Sequence, residues 1–130
     1  MRTFWKWDQP SRVEIALKRQ SERAKQETDV YRTVDRRDGF RCRCCGLRTD
    51  PYAIGLLRGE HHHVVYRSAG GETTTANVCL LCAGCHADEH RHRLRIEGNA
   101  DTGLTFWWRD RDHEEYVIRR ELAVRQWEKD

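Results

Sequence analysis

The stretch NVCLLCAGCHADEH, residues 77–90, decides the fold of this chain. Two residues separate Cys82 from Cys85 in it, and this spacing lets a turn present two thiolates to one tetrahedral zinc ion. A second pair of the same spacing, Cys42 and Cys45, lies upstream in the stretch RCRCCG. Together the pairs provide four ligands and close the coordination sphere, so we predict a structural zinc ion with no open position for chemistry.

The two remaining cysteines leave alternatives for this ligand set. Cys44 adjoins Cys45, and Cys79 forms another pair of the same spacing with Cys82. We assign the ligands as above because each assigned pair then frames a two-residue turn beside a glycine. Replacement of an assigned ligand by Cys44 or Cys79 stays open, and the plainer alternative is that all six thiols are small buried hydrophobes.

Length and composition fit one small domain. Of 130 residues, 38% are hydrophobic and 35% are charged, so apolar burial alone would give marginal stability that a structural metal would improve. Apolar runs fall short of a membrane span, and residues 1–10 lack the apolar region of a signal peptide. We therefore expect a cytoplasmic protein, a setting where closely spaced cysteines hold metal more often than they form disulfides.

Local patterns predict helices on both sides of the cysteine-rich centre. Ser11 and Glu14 form a capping box that opens a first helix. Thr28 or Asp29 caps a second helix, which Gly39 stops. Near the C-terminus, helical spacing of apolar residues predicts a last amphipathic helix through Val117, Ile118, Leu122 and Trp127.

The segments between these helices carry strand and hairpin signals. Residues 59–67 favour a strand, and residues 77–81 favour a short return strand or turn. Residues 83–93 read as a helix, and residues 94–96 and 104–109 form a closing hairpin.

Histidines and one asparagine cluster around the second cysteine pair. His86 and His90 lie one helical turn apart and can bind one ion together. A neutral imidazole, with a pKa of about 6.5, suits proton abstraction near neutral pH. His62 and His63 would point to opposite faces of a regular strand, so bringing both to one phosphate requires a twist or bulge.

The order of these cysteine pairs, histidines and asparagine along the chain resembles that of the HNH endonuclease family. The matching text is RRDGFRCRCCG, HHHVVYRSAGG and NVCLLCAGCHADEH, which spans 55 residues in the middle of the chain. The resemblance implies an α+β fold with a small ββα-metal (treble-clef-like) core and a four-cysteine zinc knuckle, flanked by N- and C-terminal helices. It divides the single domain, residues 1–130, into an N-terminal helical extension at 1–35, an HNH core at 36–93 and a C-terminal hairpin and helix at 94–130.

The resemblance also implies roles for individual residues. His63 is the general base, and His62 and His86 hold a catalytic divalent ion. Asn77 keeps the base-bearing strand in shape, and His90 stands where some members add a third ligand. The chain departs from the family pattern at Tyr66, where proline is frequent, and at Val78, where leucine is commoner.

The ligands implied by the resemblance predict which metal ions the protein binds. Besides the structural Zn²⁺, we expect one catalytic divalent metal, Mg²⁺, Mn²⁺, Ni²⁺ or Zn²⁺. Imidazole ligands favour a transition metal, since Mg²⁺ prefers oxygen. The histidines that match no family role, His61, His92 and His113, are treated as solvated.

The net charge of +3 is too small to establish a polyanionic partner, but its distribution makes the N-terminal half the better candidate for a phosphate-facing surface. Residues 1–50 hold 13 Lys/Arg against 8 Asp/Glu, whereas residues 96–130 hold 6 against 9. The candidates for phosphate contacts are Arg36, Arg37, Arg41, Arg43 and Arg67. Each of them is equally well explained as an ordinary solvated surface residue.

Three functions remain in view. The first is a DNA endonuclease, a phosphodiester hydrolase similar to small, often phage-associated members of the family. Sequence preference would be low or supplied by a specificity or packaging partner, since no helix-turn-helix accompanies the core. The second is a catalytically lapsed, zinc-stabilised module that binds nucleic acid. The third, a redox or metal-storage protein, leaves the histidines and Asn77 without a role.

Overall fold

The computed structural model describes residues 9–118 and has a mixed α and β architecture. Apart from two short 3₁₀ turns, its elements are α1 (Arg12–Arg37), β1 (Glu60–His63), β2 (Val78–Leu81), α2 (Ala83–His90), β3 (Leu94–Asn99), β4 (Gly103–Trp108) and β5 (Val117–Ile118). Over these residues, none of the helices combines the length and the apolar character that crossing a membrane requires.

The N-terminal helix begins as predicted but does not break where expected. The backbone N–H of Glu14 donates to Ser11 Oγ at 3.1 Å, and the N–H of Ser11 donates to Glu14 Oε2 at 3.2 Å, which confirms the capping box. The predicted second cap at Thr28 or Asp29 is wrong. The hydroxyl of Thr28 donates to the carbonyl of Ala24 at 2.9 Å and stays inside one continuous helix.

The strands β1 and β2 and the helix α2 form the predicted ββα unit. β1 pairs antiparallel with β2 in regular register, from Glu60↔Leu81 to His63↔Val78. β2 is buried on both faces: Val34 of α1 packs on Val78 and Leu80, whereas Cys79 and Leu81 belong to the main core. β1 is shorter than the strand predicted at 59–67, and α2 ends at His90, before the predicted end at residue 93.

A second, three-stranded sheet follows α2. β3 and β4 form the predicted hairpin, with Leu94 opposite Trp108 and Asn99 opposite Gly103. Val117 and Ile118 form a strand on the edge of β4 instead of beginning a helix, since β-branched residues suit an open sheet edge. The remainder of the predicted last helix, including Leu122 and Trp127, lies outside the described residues.

A buried carboxylate joins the end of α1 to the first cysteine-rich turn and to β2. The side chain of Asp38 is 1% exposed and accepts from Arg37 Nε and from Arg43 Nη1, each at 2.8 Å. It also accepts from the backbone N–H of Leu80 at 2.9 Å. Burial of this charge is tolerated because two guanidinium groups and an amide satisfy it.

Replacing Asp38 by asparagine is expected to lower the free energy of unfolding by about 3 kcal/mol, because two guanidinium groups lose their buried counter-charge. Urea denaturation followed by circular dichroism measures the loss. The matched control is Asp112→Asn at an exposed position, for which the midpoint should stay unchanged. Equal midpoints for both variants would contradict a stabilising role for the Asp38 cluster.

Candidate functional site: a cysteine cluster and a histidine-lined ββα unit

The four assigned cysteines come together in the main core. Their sulfur atoms all lie within 4.8 Å of one another, and the set is Cys42, Cys45, Cys82 and Cys85. The backbone N–H of Cys45 donates to Cys42 Sγ at 3.4 Å, and that of Cys85 donates to Cys82 Sγ at 3.4 Å. Four sulfur atoms this close together can ligate one ion, so the cluster fits a structural metal ion.

The two alternative ligands lie outside this cluster. Cys44 and Cys79 are both buried, but neither contributes a sulfur atom to the set of four. Burial raises the pKa of Cys79 to about 12, so it packs as a protonated thiol. The cluster is the one assigned from spacing, and neither replacement is needed.

The three consecutive histidines alternate across β1. His61 faces α1, where its ring stacks on Tyr31 at 4.3 Å and its Nε2 lies 2.7 Å from Asp35 Oδ1. The expectation that His61 is solvated is therefore wrong. His62 faces α2 instead, and of the expected twist or bulge the regular pairing of β1 excludes a bulge between His62 and His63.

His63 is the last residue of β1 and is half-buried beside α1. Its Nε2 lies 2.9 Å from Thr73 Oγ1 and accepts a longer hydrogen bond, 3.3 Å, from Arg67 Nε. Burial and then the charge of Arg67 lower the pKa of His63, which keeps the imidazole neutral. Sequence reasoning did not identify Thr73, because nothing local marks a loop threonine as a histidine partner.

Asn77 ties the loop after β1 to the start of β2. Its Oδ1 accepts from the backbone N–H of Val65 at 2.8 Å, and its Nδ2 donates to the carbonyls of Val65 and Glu72 at 3.0 and 2.8 Å. A Cβ at Gly71 would collide with the carbonyl oxygen of Val65, so this loop closes tightly. These contacts hold the backbone that follows His63 in a fixed shape.

Three histidines line the space between β1 and α2. The ring of His62 is 5.8 Å from that of His86, and the Nε2 atoms of His86 and His90 are 3.1 Å apart. Burial lowers the pKa of His62 to about 4 and also lowers that of His86, so both offer a lone pair. The three ligand atoms are less tightly gathered than the four sulfurs, which form the only such cluster found in residues 9–118.

Two further residues complete this pocket. The carboxylate of Glu89 is buried on α2, and its Oε1 accepts a hydrogen bond from the hydroxyl of Tyr66. Its Oε2 lies 3.8 Å from His62 Nδ1. The departure from proline at position 66 was the one available signal, but it did not reveal the contact with Glu89.

The structure separates the five arginine candidates into two groups. Arg37 and Arg43 point inward to Asp38, and Arg43 also donates to the carbonyl of Ala100 at 2.9 Å. Both guanidinium groups therefore stabilise the core, and the expectation that they contact DNA phosphates is not supported. Arg36, Arg41 and Arg67 remain candidates: Arg36 is exposed, Arg41 donates to the Gly46 carbonyl at 3.1 Å, and Arg67 adjoins His63.

This fold and donor set define a ββα-metal class of domain. A family model described as HNH endonuclease matches residues 42–92, which include both cysteine pairs, β1, β2 and α2. Residues 42–92 therefore match the HNH endonuclease model, as the resemblance implied. The family implies a metal-dependent nuclease that acts on DNA. No curated protein and no solved structure gives a significant match to the chain.

Proposed function

We propose that this protein hydrolyses DNA phosphodiester bonds in a divalent-metal-dependent reaction, with His63 as the general base. The observation that carries the proposal is the placement of His63, half-buried at the end of β1, in a ββα unit that brings His62, His86 and His90 together and matches an HNH endonuclease model. A neutral imidazole can accept the proton of the attacking water.

The metal sites of this proposal differ in their donors. The four cysteines would hold a structural Zn²⁺, whose closed coordination sphere leaves no position for substrate. His62 and His86, with His90 as a third donor, would hold the catalytic ion, and their neutral imidazoles favour Mn²⁺, Ni²⁺ or Zn²⁺ over Mg²⁺. When bound, that ion would neutralise charge on the phosphate and stabilise the leaving oxygen.

The ligand and the base act from opposite faces of β1. His62 faces α2 and His63 faces α1, so a phosphate lying across the end of the strand would be reached from both sides. Asn77 would keep this strand end in shape through its three hydrogen bonds to the following loop.

Arg67 connects substrate binding to the base. Its Nε donates to His63 Nε2, and its Nη2 bonds to Tyr31 and to Glu27 at 2.7 and 2.9 Å. The side chain is 53% exposed, so it can turn to an arriving phosphate. That movement would release the His63 lone pair for the attacking water.

Incubating the zinc-loaded protein with supercoiled plasmid and Mg²⁺, Mn²⁺, Ni²⁺ or excess EDTA tests the activity. We expect nicked plasmid with at least one transition metal and none with EDTA. If the folded, zinc-loaded protein binds DNA but does not cleave it with any of these metals, the proposal is overturned and the lapsed binding module is favoured.

Replacing Arg67 by alanine is expected to weaken DNA binding and to reduce the slope of log affinity against log salt by about 1, because one phosphate contact is lost. Fluorescence anisotropy with labelled duplex at several salt concentrations measures the slope. Arg111→Ala, at an exposed position, is the matched control. An unchanged slope for Arg67→Ala would rule out its phosphate contact.

A further inference from the structure

The carboxylate of Glu89 is a buried acid with an incomplete set of partners. Glu89 is only 5% exposed, although it lies on a short helix whose neighbouring positions reach the surface. Tyr66 donates to Oε1, whereas the buried Oε2 has no hydrogen-bond partner among the described residues. An unsatisfied buried carboxylate oxygen is costly, so its presence calls for a physical explanation.

The nitrogen that Oε2 faces belongs to a proposed metal ligand. Oε2 lies 3.8 Å from His62 Nδ1, and both side chains are about nineteen-twentieths buried, with exposures of 6% and 5%. A hydrogen bond between them needs a closer approach of roughly 0.6–1 Å, within reach of a side-chain adjustment. A neutral imidazole carries a single N–H, and this acceptor favours its placement on Nδ1.

We propose that Glu89 is a positioning residue that accepts the Nδ1–H of His62 and so presents the Nε2 lone pair to the catalytic divalent ion. The inference rests on the proposed function, in which His62 is a ligand of that ion. Carboxylates that accept from the second nitrogen of a ligating histidine fix its tautomer and orientation and strengthen it as a donor.

Tyr66 holds the carboxylate in place for this role. Its hydroxyl donates to Glu89 Oε1, and its ring meets that of His62 edge-on at 6.0 Å and 86°. Burial and the bond to Glu89 raise the pKa of Tyr66 to about 12, so the hydroxyl remains a donor. Tyr66 thus fixes one oxygen of Glu89 and leaves the other for His62, which gives a function to the departure from proline.

Glu89→Leu separates this role from a structural one. Leucine fills a similar volume but leaves the Tyr66 hydroxyl and the Nδ1–H of His62 without their acceptor, so we expect the midpoint of thermal unfolding to fall while the protein stays folded. The same change removes the acceptor for His62 Nδ1. A carboxylate that only stabilised the fold would also lower the midpoint, but it would leave the tautomer of His62 unaffected.

Two measurements on zinc-loaded protein test the proposal. Nitrogen-15 NMR of the histidine rings, recorded without a second metal, should show His62 with its proton on Nδ1 in the wild type and a shift toward the Nε2–H tautomer in Glu89→Leu. Titration with Ni²⁺ should show affinity reduced by about 10–100-fold in Glu89→Leu. Glu89→Gln keeps an acceptor oxygen and should retain the Nδ1–H tautomer.

Asp88→Asn, one position earlier on α2, is the matched control and should change neither readout. An unchanged His62 tautomer in Glu89→Leu would overturn the positioning role, as would a loss of tautomer preference in Asp88→Asn alone. The tautomer is read without the catalytic ion, so it tests Glu89 even if the wild type fails to cleave DNA. Plasmid nicking by the wild type with an unchanged tautomer in Glu89→Leu would overturn Glu89 alone and leave the nuclease proposal standing.

Discussion

His63→Ala is expected to reduce metal-dependent plasmid nicking by about 10²–10⁴-fold, the usual contribution of a general base. The imidazole lies at the end of β1, where Nε2 contacts Thr73 and Arg67 and burial keeps the ring neutral. Its removal takes away the proposed proton acceptor and leaves the cysteine cluster and the β1–β2 pairing intact. Nicking rates under saturating metal, with zinc content measured in parallel, give the effect.

The control for this variant is His113→Ala, at an exposed position in the turn before β5. It should nick at the wild-type rate. Equal nicking by the wild type and His63→Ala would show that another group is the base or that a contaminating nuclease produces the cleavage. Loss of zinc from His63→Ala would instead mean that the imidazole stabilises the fold.

Cys82→Ser is expected to abolish metal retention and cooperative folding. Cys82 directly follows β2 and caps α2, and its sulfur lies 3.6 Å from that of Cys45. Structural Zn²⁺ contributes an apparent ~10–16 kcal/mol in small zinc domains, as much as the whole stability of a typical small protein. Zinc content by atomic spectroscopy and thermal unfolding with and without a chelator measure both losses.

The matched control is Cys79→Ala, which removes a fully buried thiol outside the cluster. We expect it to keep one zinc per chain and to lower the free energy of unfolding by about 1–2 kcal/mol, the cost of a small cavity. Zinc lost from Cys79→Ala but kept by Cys82→Ser would show that the ligand set has been assigned wrongly.

The features predictable from the sequence are those in which neighbouring residues determine the geometry. The capping box follows from the Ser11–Glu14 spacing, and the turns of the cluster follow from two pairs of cysteines two residues apart. The β3–β4 hairpin follows from two strand-forming segments on either side of a glycine-rich turn. Each signal lies within a few residues, so distant packing does not change it.

The misjudged features depend on partners far away in the chain. Nothing near Thr28 shows that α1 continues, since its last turns are stabilised by packing of Val34 on β2. The sequence around Arg37 and Arg43 does not indicate that they are partly buried, since their shared partner Asp38 becomes buried only when the chain folds. Ile118 pairs with Trp107, and that register becomes visible only once β4 is in place.

The sequence by itself determined the four clustered cysteines, the ββα order and the histidines proposed for a nuclease, because spacing and residue type encode these locally. Only the tertiary structure decided which way those histidines face. Pairing of β1 with β2 in regular register turns His62 toward α2 and His63 toward α1. Packing of α2 against β1 then brings Glu89 to His62, a contact across 27 positions in the chain that no local pattern specifies.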